Sequence, residues 1–275
     1  MRIIGRIIAI LAMITGTAAA APLLSDAQTR TASAAMSRAG EDGLDPGAYS
    51  ISALLDPAAR NVAISAFFLT YMRDVRIGRP ELRTLDPDVV LPPSDFDAAA
   101  AFNEAVSNGK LDTLLAGLAP PAPDYASLKA ALARYRRIAA TGGWPFVPPG
   151  AEFGLLRARL AFEDNITGLS DAEALKHFQA RHGLIQDGTL GPATLSALNI
   201  PASARADTIA ANMECWRWWP RQLEADRIVS NVADARLDLF LDGKHVLMSR
   251  VIVGKPATRT PILRADGAGV TVNPP

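Results

Sequence analysis

Hydrophobic residues recur every three or four positions along the first half of the chain, which is the spacing of amphipathic helices. In residues 52–79 this spacing predicts one long helix, and Asp56-Pro57 marks its start. The same pattern predicts shorter helices at 96–108 and 111–118 and a long one at 125–140. The residues expected on the buried face of the first helix are Val62, Phe67, Phe68, Tyr71 and Met72.

A second helical region consists of short helices separated by turn residues. Ser170 and Glu173 fit a capping box at its start. Gly183 is expected to end the helix in the left-handed conformation, and Asp187-Gly188 to form a tight turn. Pro192 then suits the first position of another helix, where its missing amide hydrogen costs nothing. The residues expected in the core of this region are Ala174, Leu175, Phe178, Leu195 and Leu198.

The hydrophobic period changes to two after residue 220, which indicates strands. Alternation predicts strands at 228–231 and 237–241, and Asp242-Gly243 is a strong signal for a two-residue hairpin turn. The partner strand is expected at 245–253, and a further strand at 270–272. The fold class is therefore predicted to be mainly α with a partial β domain at the C-terminus.

The N-terminus has the pattern of a secretory signal. Arg2 and Arg6 precede an apolar run over 7–20 that ends in small residues, so we expect cleavage after Ala20. The run is shorter than the roughly 20 residues that span a bilayer. An uncleaved anchor is the alternative, and cleavage would leave no membrane span in the mature chain.

Composition narrows the function. The 275 residues are 49% hydrophobic, enough for a sizeable core, and Lys+Arg and Asp+Glu both number 28, which argues against a nucleic-acid partner. The single cysteine, Cys215, excludes an internal disulfide. His177, His182 and His245 are scattered and show no metal-ligand spacing, so neither a metal nor a cofactor is expected.

The second helical region, residues 170–199, resembles the small three-helix peptidoglycan-binding domain of bacterial cell-wall enzymes. Each matching residue also has a local structural role, so the alternative is that these residues only maintain the fold and that the glycan contacts lie elsewhere. The matching residues are Phe178, Gln179, Gly183, Leu184, Asp187, Gly188, Gly191, Pro192, Thr194 and Leu198.

Segments on both sides of this region resemble the long L,D-transpeptidases, which combine a scaffold domain, an embedded peptidoglycan-binding module and a YkuD-type catalytic domain. Residues 41–50 and 134–145 are similar to the scaffold, and residues 212–223, 232–261 and 272–275 are similar to the entry into the catalytic domain. The resemblance covers nearly the whole chain after the signal, in family order.

The resemblance implies domains in a fixed order. We expect a signal peptide at 1–20, a helical scaffold at 21–160 and a peptidoglycan-binding domain at 161–203. A connecting helix is expected at 204–227, followed at 228–275 by the start of a C-terminally truncated catalytic domain. The resemblance further implies export to the periplasm or cell wall, with peptidoglycan glycan and stem peptides as partners and roles in wall biogenesis and cell shape. The oligomeric state does not follow from the sequence.

The activity that the resemblance implies is acyl transfer. A cysteine thiolate would attack the amide after the third residue of a stem peptide and expel the terminal D-alanine, and an amine would then accept the acyl group. The family carries the nucleophile in a Ser-His-Gly-Cys signature. Here His182-Gly183 is followed by Leu184, and the signature is absent. We therefore expect no catalytic residue in this chain, and no activity from it alone.

Several alternatives stay open at this stage. Cys215 fits a small apolar residue on a helix better than a nucleophile. Trp216, Trp218 and Trp219 fit core packing between the binding module and the β domain better than sugar stacking, and His245 fits a surface strand position. The alternative functions are a non-catalytic peptidoglycan-binding module and an accessory to a cell-wall hydrolase. The strand motif at 251–256 argues against the second of these.

Overall fold

The computed structural model describes residues 22–52, 55–79, 88–91 and 94–267. The expected signal segment and the expected strand at 270–272 lie outside these ranges. About half of the chain is helical, and a small three-stranded sheet lies near the C-terminus. The predicted fold class, mainly α with a C-terminal β part, is therefore confirmed.

Nine α-helices and five strands occur in the described ranges. The helices are α1 (Asp26–Ser37), α2 (Pro57–Ile77), α3 (Ala98–Ser107), α4 (Leu111–Ala116), α5 (Pro123–Ala140), α6 (Phe153–Leu160), α7 (Asp171–Arg181), α8 (Pro192–Leu198) and α9 (Ala202–Trp218). Short 3-10 helices cover Ala39–Asp42 and Pro46–Tyr49. The strands are β1 (Val89–Val90), β2 (Arg227–Asn231), β3 (Arg236–Leu241), β4 (Lys244–Arg250) and β5 (Ile262–Leu263).

The described residues form two compact units. The first unit contains the chain up to Tyr125 together with Met213–Arg221 and the residues from Pro261 onward. The second unit contains Ala126–Asn212 and Gln222–Thr260. Residues 126–160, which the sequence analysis placed with the scaffold, thus group with the second unit.

Helix α2 organises the core of the first unit. Asp56 caps it by accepting a hydrogen bond from the Ala59 amide at 2.9 Å, as the sequence predicts. Val62 was expected on the buried face, but it is 55% exposed. At 3.6 residues per turn, Val62 lies about 120° around the helix from the buried Phe68. The buried face of α2 comprises Ile64, Ser65, Phe68, Tyr71, Met72 and Val75.

A short parallel pair in the first unit was not predicted. Val89 pairs with Ile262 and Val90 with Leu263, and the Ile262 amide donates to the carbonyl of Asp88 at 2.7 Å. Two-residue strands carry too little alternation for a pattern to show them.

Helices α6, α7 and α8 of the second unit enclose a small core of their own. The predicted capping box is present, because the Glu173 amide donates to the Ser170 hydroxyl and Glu173 accepts from the Ser170 amide. Leu195, expected in this core, is only partly buried, since the buried positions of α8 are Thr194 and Leu198. The buried members of this core are Leu156, Leu160, Ile166, Ala174, Leu175, Phe178 and Leu198.

Strands β2, β3 and β4 form an antiparallel sheet in the second unit. The hairpin between β3 and β4 turns at Asp242 and Gly243, whose φ values of 49° and 74° are the left-handed pair of a type I′ turn. Strand β4 ends at Arg250 rather than at 253, and all its residues are exposed. In the described ranges no helix combines the length and the hydropathy that crossing a bilayer requires.

Candidate peptidoglycan-binding site

A buried glutamine holds the loop between α7 and α8. The side-chain nitrogen of Gln179 lies 2.8 Å from Asp187 Oδ1, 3.0 Å from the Thr189 carbonyl and 3.1 Å from Thr194 Oγ1. Its side-chain oxygen accepts from the Gly188 amide at 2.9 Å. Every polar atom of this buried amide therefore has a partner, and the loop conformation follows from it.

Two glycines of this region adopt the left-handed conformation for different reasons. Gly183 (φ 64°) ends α7, and a Cβ there would meet nothing within 4 Å. Gly188 (φ 70°) lies against α7, where a Cβ would come within 3.1 Å of the Ala172 carbonyl oxygen. The turn therefore needs glycine at 188 for space as well as for its backbone angle.

The predicted signature residues come together in one module, and most of them face inward or shape its turns. Phe178, Gln179, Thr194 and Leu198 are buried. Asp187 is exposed, yet its carboxylate accepts from the Thr189 amide and from Gln179, and these hydrogen bonds hold its pKa below the ordinary value. The remaining members are partly buried at Leu184, Gly188 and Gly191 and exposed at Gly183 and Pro192.

Sequence reasoning missed a buried ion cluster beside this core. Glu163, with no side-chain exposure, pairs with the fully buried Arg159 at 2.7 Å and accepts from the Tyr135 hydroxyl at 2.5 Å. Arg181 and Arg205 each lie 3.7 Å from the same carboxylate. Burial opposes ionisation, but the Tyr135 hydrogen bond and the Arg159 charge together lower the pKa of Glu163. Removing one partner from such a pair typically costs about 3–5 kcal/mol.

His182 belongs to the same cluster and is held neutral. Its Nδ1 lies 3.3 Å from Arg205 Nη1, so Nδ1 is the acceptor, and its Nε2 lies 3.9 Å from Glu163. Burial, reinforced by the Arg205 charge, lowers the pKa of His182 to about 4. The sequence held one sign of this cluster. Arg159, Arg181 and Arg205 lie on α6, α7 and α9 at positions that face the same carboxylate.

A proline-rich segment is fastened to the end of α8. The Val147 amide donates to Asn199 Oδ1 at 2.8 Å, and Asn199 Nδ2 donates to the Val147 carbonyl at 2.9 Å. In the same segment, the ring of Trp144 lies 3.8 Å from the Arg159 guanidinium carbon, a close cation–π contact. The segment before α6 is therefore part of the folded module.

A second buried ion pair lies in the first unit. Glu214 and Arg217 pair at 2.8 Å with almost no side-chain exposure. Arg217 also donates to the Asp42 carbonyl and to the Tyr125 hydroxyl, while Glu214 accepts from the Arg79 amide at 2.6 Å. These contacts fix residues 213–221 within the first unit.

Cys215 lacks the surroundings of a nucleophile. The side chain is half-buried, and burial, followed by the neighbouring Glu214 charge, raises the pKa of its thiol. A reactive cysteine needs the opposite shift, because the thiolate is the attacking form. The arrangement around Cys215 therefore favours the protonated thiol at neutral pH.

The other candidates have structural partners. Trp218 donates to Glu214 at 3.2 Å, and the Trp216 and Trp219 rings lie 5.9 Å apart. His245 is half-exposed on β4, with Nε2 2.8 Å from an Asp238 oxygen that the sheet holds in place. Within the described ranges, His, Cys, Asp and Glu residues form no group of three suited to a metal ion.

Comparison with protein families gives two matches. Residues 20–132 match a family described as a scaffold domain, which is found in L,D-transpeptidases, and residues 158–198 match a family described as a peptidoglycan binding domain. The second range runs from α6 to the end of α8. No curated protein matches the chain. The chain thus carries a scaffold domain and a peptidoglycan-binding domain, and the second of these supports peptidoglycan as its partner.

Proposed function

We propose that this protein binds peptidoglycan through the α6–α8 module and takes part in L,D-transpeptidase-type cross-linking of the cell wall. The observation that carries the proposal is the pair of family matches, at 20–132 and 158–198, on one chain. The module supports it physically, since the capping box of α7 and the fully bonded Gln179 hold α7 and the loop that follows it in one conformation.

The residues of this chain supply binding and scaffolding in this proposal, and no acyl transfer. Cys215 has a raised thiol pKa, and the sequence has no Ser-His-Gly-Cys motif. Incubation with a carbapenem, followed by intact-mass measurement, tests this point. We expect no covalent adduct, and acylation at Cys215 would overturn the assignment.

The domain boundaries and the location belong to the same proposal. A scaffold that begins at residue 21 and the α6–α8 module would follow a signal peptide cleaved after Ala20, with the β strands beginning a YkuD-type domain at 228. Export then delivers the protein to the periplasm or cell wall. N-terminal sequencing of the protein from an expressing cell envelope should begin at Ala21.

Binding itself is tested by cosedimentation with purified sacculi. The protein should pellet with sacculi and stay in the supernatant with cellulose, which offers sugar rings without stem peptides or N-acetyl groups. Equal recovery on both polymers, or recovery on neither, would refute specific wall binding.

A further inference from the structure

Aromatic side chains of this protein avoid solvent, with two exceptions. All its Phe, Trp and Tyr residues lie in the described ranges, and all but two are buried or partly buried. The exceptions are Phe146, 68% exposed, and Phe153, 65% exposed. Large exposed apolar side chains that lie close along the chain are typical of contact surfaces.

Both rings lie on the segment that is fastened to the module. Val147, the neighbour of Phe146, is fully buried and is bonded in both directions to Asn199. Phe153 is the first residue of α6. Six residues separate them, so the two Cα atoms, seven steps apart along the chain, lie within about 25 Å of each other. An extended polymer such as a glycan strand can reach both.

The backbone around the two rings is restrained before any ligand arrives. Trp144 lies on Arg159, and Pro145, Pro148 and Pro149 restrict the backbone torsions. A preformed surface loses little conformational freedom on binding. The two phenylalanines are therefore presented in fixed positions rather than on a loose loop.

The charge of the segment separates two kinds of ligand. Between residues 141 and 153 the only charged side chain is Glu152. A stem peptide carries free carboxylates and would require cations, which the segment does not offer. The faces of sugar rings are rich in C–H groups, which pack on the electron-rich face of an aromatic ring.

We propose that Phe146 and Phe153 contact sugar rings of the peptidoglycan glycan strand and extend the binding surface beyond the matched domain. This inference rests on the proposed wall binding, whose ligand it makes more specific. The binding surface then includes the segment that precedes α6, outside the range 158–198.

The test compares the dissociation constants of single and double variants on sacculi and on glycan strands freed of stem peptides by an amidase. Phe146→Ala and Phe153→Ala should each weaken binding roughly two- to tenfold on both ligands, the range expected for one aromatic contact. Phe146→Tyr and Phe153→Tyr should keep the affinity of the parent, because they keep the ring. Phe146→Leu should lose affinity as the alanine variant does. Leu23→Ala, at an exposed position of the first unit, is the matched control and should bind as the parent does.

The outcomes separate this inference from the proposed function. If the parent protein fails to bind sacculi, wall binding itself is refuted. If the parent binds and the double alanine variant binds equally well, only the role of the phenylalanines is refuted. A loss confined to sacculi, with glycan strands unaffected, would show that the rings contact stem peptides and would also overturn the inference. Unchanged thermal unfolding of the variants checks that the fold is intact.

Discussion

At the scale of single residues, polar satisfaction and backbone angle decide the loop between α7 and α8. Gln179 offers one acceptor and an amide nitrogen to a ring of backbone and side-chain partners, all within 3.1 Å. Because the amide is buried, any group that cannot reproduce both roles leaves a partner unpaired, which costs about 1–3 kcal/mol. The same loop places Gly188 against the backbone of α7.

Gln179→Glu should destabilise the module by about 2 kcal/mol or more, because a carboxylate would face the Asp187 carboxylate and the Thr189 carbonyl. Urea unfolding monitored by circular dichroism measures the change. Gln186→Glu places the same charge on an exposed residue of the same loop and should change the free energy of unfolding by less than about 0.5 kcal/mol. Equal effects of the two variants would contradict the buried role of Gln179.

Gly188→Ala should cost more stability than Gly183→Ala. Both substitutions force alanine into the left-handed region, at roughly 1–2 kcal/mol. Only the new Cβ at 188 meets other atoms, and the nearest is the Ala172 carbonyl oxygen at 3.1 Å. Thermal unfolding of the two variants isolates the contact, and a larger loss at Gly183 would show that the close approach is unimportant.

At the scale of elements, two buried ion pairs tie helices to their surroundings. The Glu163 cluster contacts side chains of α5, α6, α7 and α9 within the second unit. The Glu214–Arg217 pair connects the C-terminal part of α9 to the 3-10 helix at Ala39–Asp42 in the first unit. In both clusters the carboxylate is almost fully buried, and more than one hydrogen-bond donor compensates for its lost contact with water.

Arg217→Met should destabilise the first unit by about 3–5 kcal/mol, because Glu214 would stay buried without its main cation. Arg73→Met replaces an exposed arginine of α2 and should change stability by no more than about 0.5 kcal/mol. The comparison is made by urea unfolding. A loss below 1 kcal/mol for the Arg217 variant would show that the pair is not a main anchor of residues 213–221.

Acidification should destabilise the second unit through His182. Its folded pKa, about 4, lies below the ordinary value of 6.5, so the unfolded chain takes up the proton first as the pH falls. The contribution of His182 to the free energy of unfolding is therefore fully present above pH 6.5 and is lost as the pH falls towards 4. The loss should be about 1–2 kcal/mol after allowance for partial exposure of the ring. Urea unfolding at pH 7 and pH 4.5 measures the decline.

Two variants assign that decline to one ring. His182→Gln should flatten the pH dependence, whereas His177→Gln, at an exposed position of α7, should leave it as in the parent. A His182→Gln variant that keeps the parent's pH dependence would show that another group is responsible.

The sequence predicted the elements better than it predicted their polar contacts. Helix starts at Asp56, Ser170 and Pro192 follow from local capping chemistry, and the hairpin at Asp242-Gly243 follows from backbone angle, so each was readable from a few adjacent residues. The Glu163 and Arg217 clusters join residues that are distant along the chain, and charged residues on a helix are ordinarily solvated. For the same reason nothing in the sequence pointed to Asn199 as the partner of Val147.

In the candidate site, too, the local features could be predicted from the sequence and the contact surface could not. The signature from Phe178 to Leu198 was readable because glycine and proline have fixed conformational roles. Those roles are structural, so the signature locates the module without locating its ligand. Phe146 and Phe153 stand out only when the exposure of every aromatic ring is known.

At the scale of the whole molecule, the two family matches fall largely in different units. Most of the scaffold match, at 20–132, falls in the first unit, and the whole of the peptidoglycan-binding match, at 158–198, falls in the second. The single cysteine means that neither unit relies on an internal disulfide. Wall binding should therefore be a property of the second unit, insensitive to reducing agent.

Hydrogen exchange read by mass spectrometry, with and without soluble peptidoglycan fragments, shows which part of the protein contacts the wall. Added fragments should slow exchange in peptides covering residues 144–199 and leave peptides from α1 to α4 unchanged. Slowed exchange confined to the first unit, or no change anywhere at saturating fragment concentration, would contradict wall binding by the second unit.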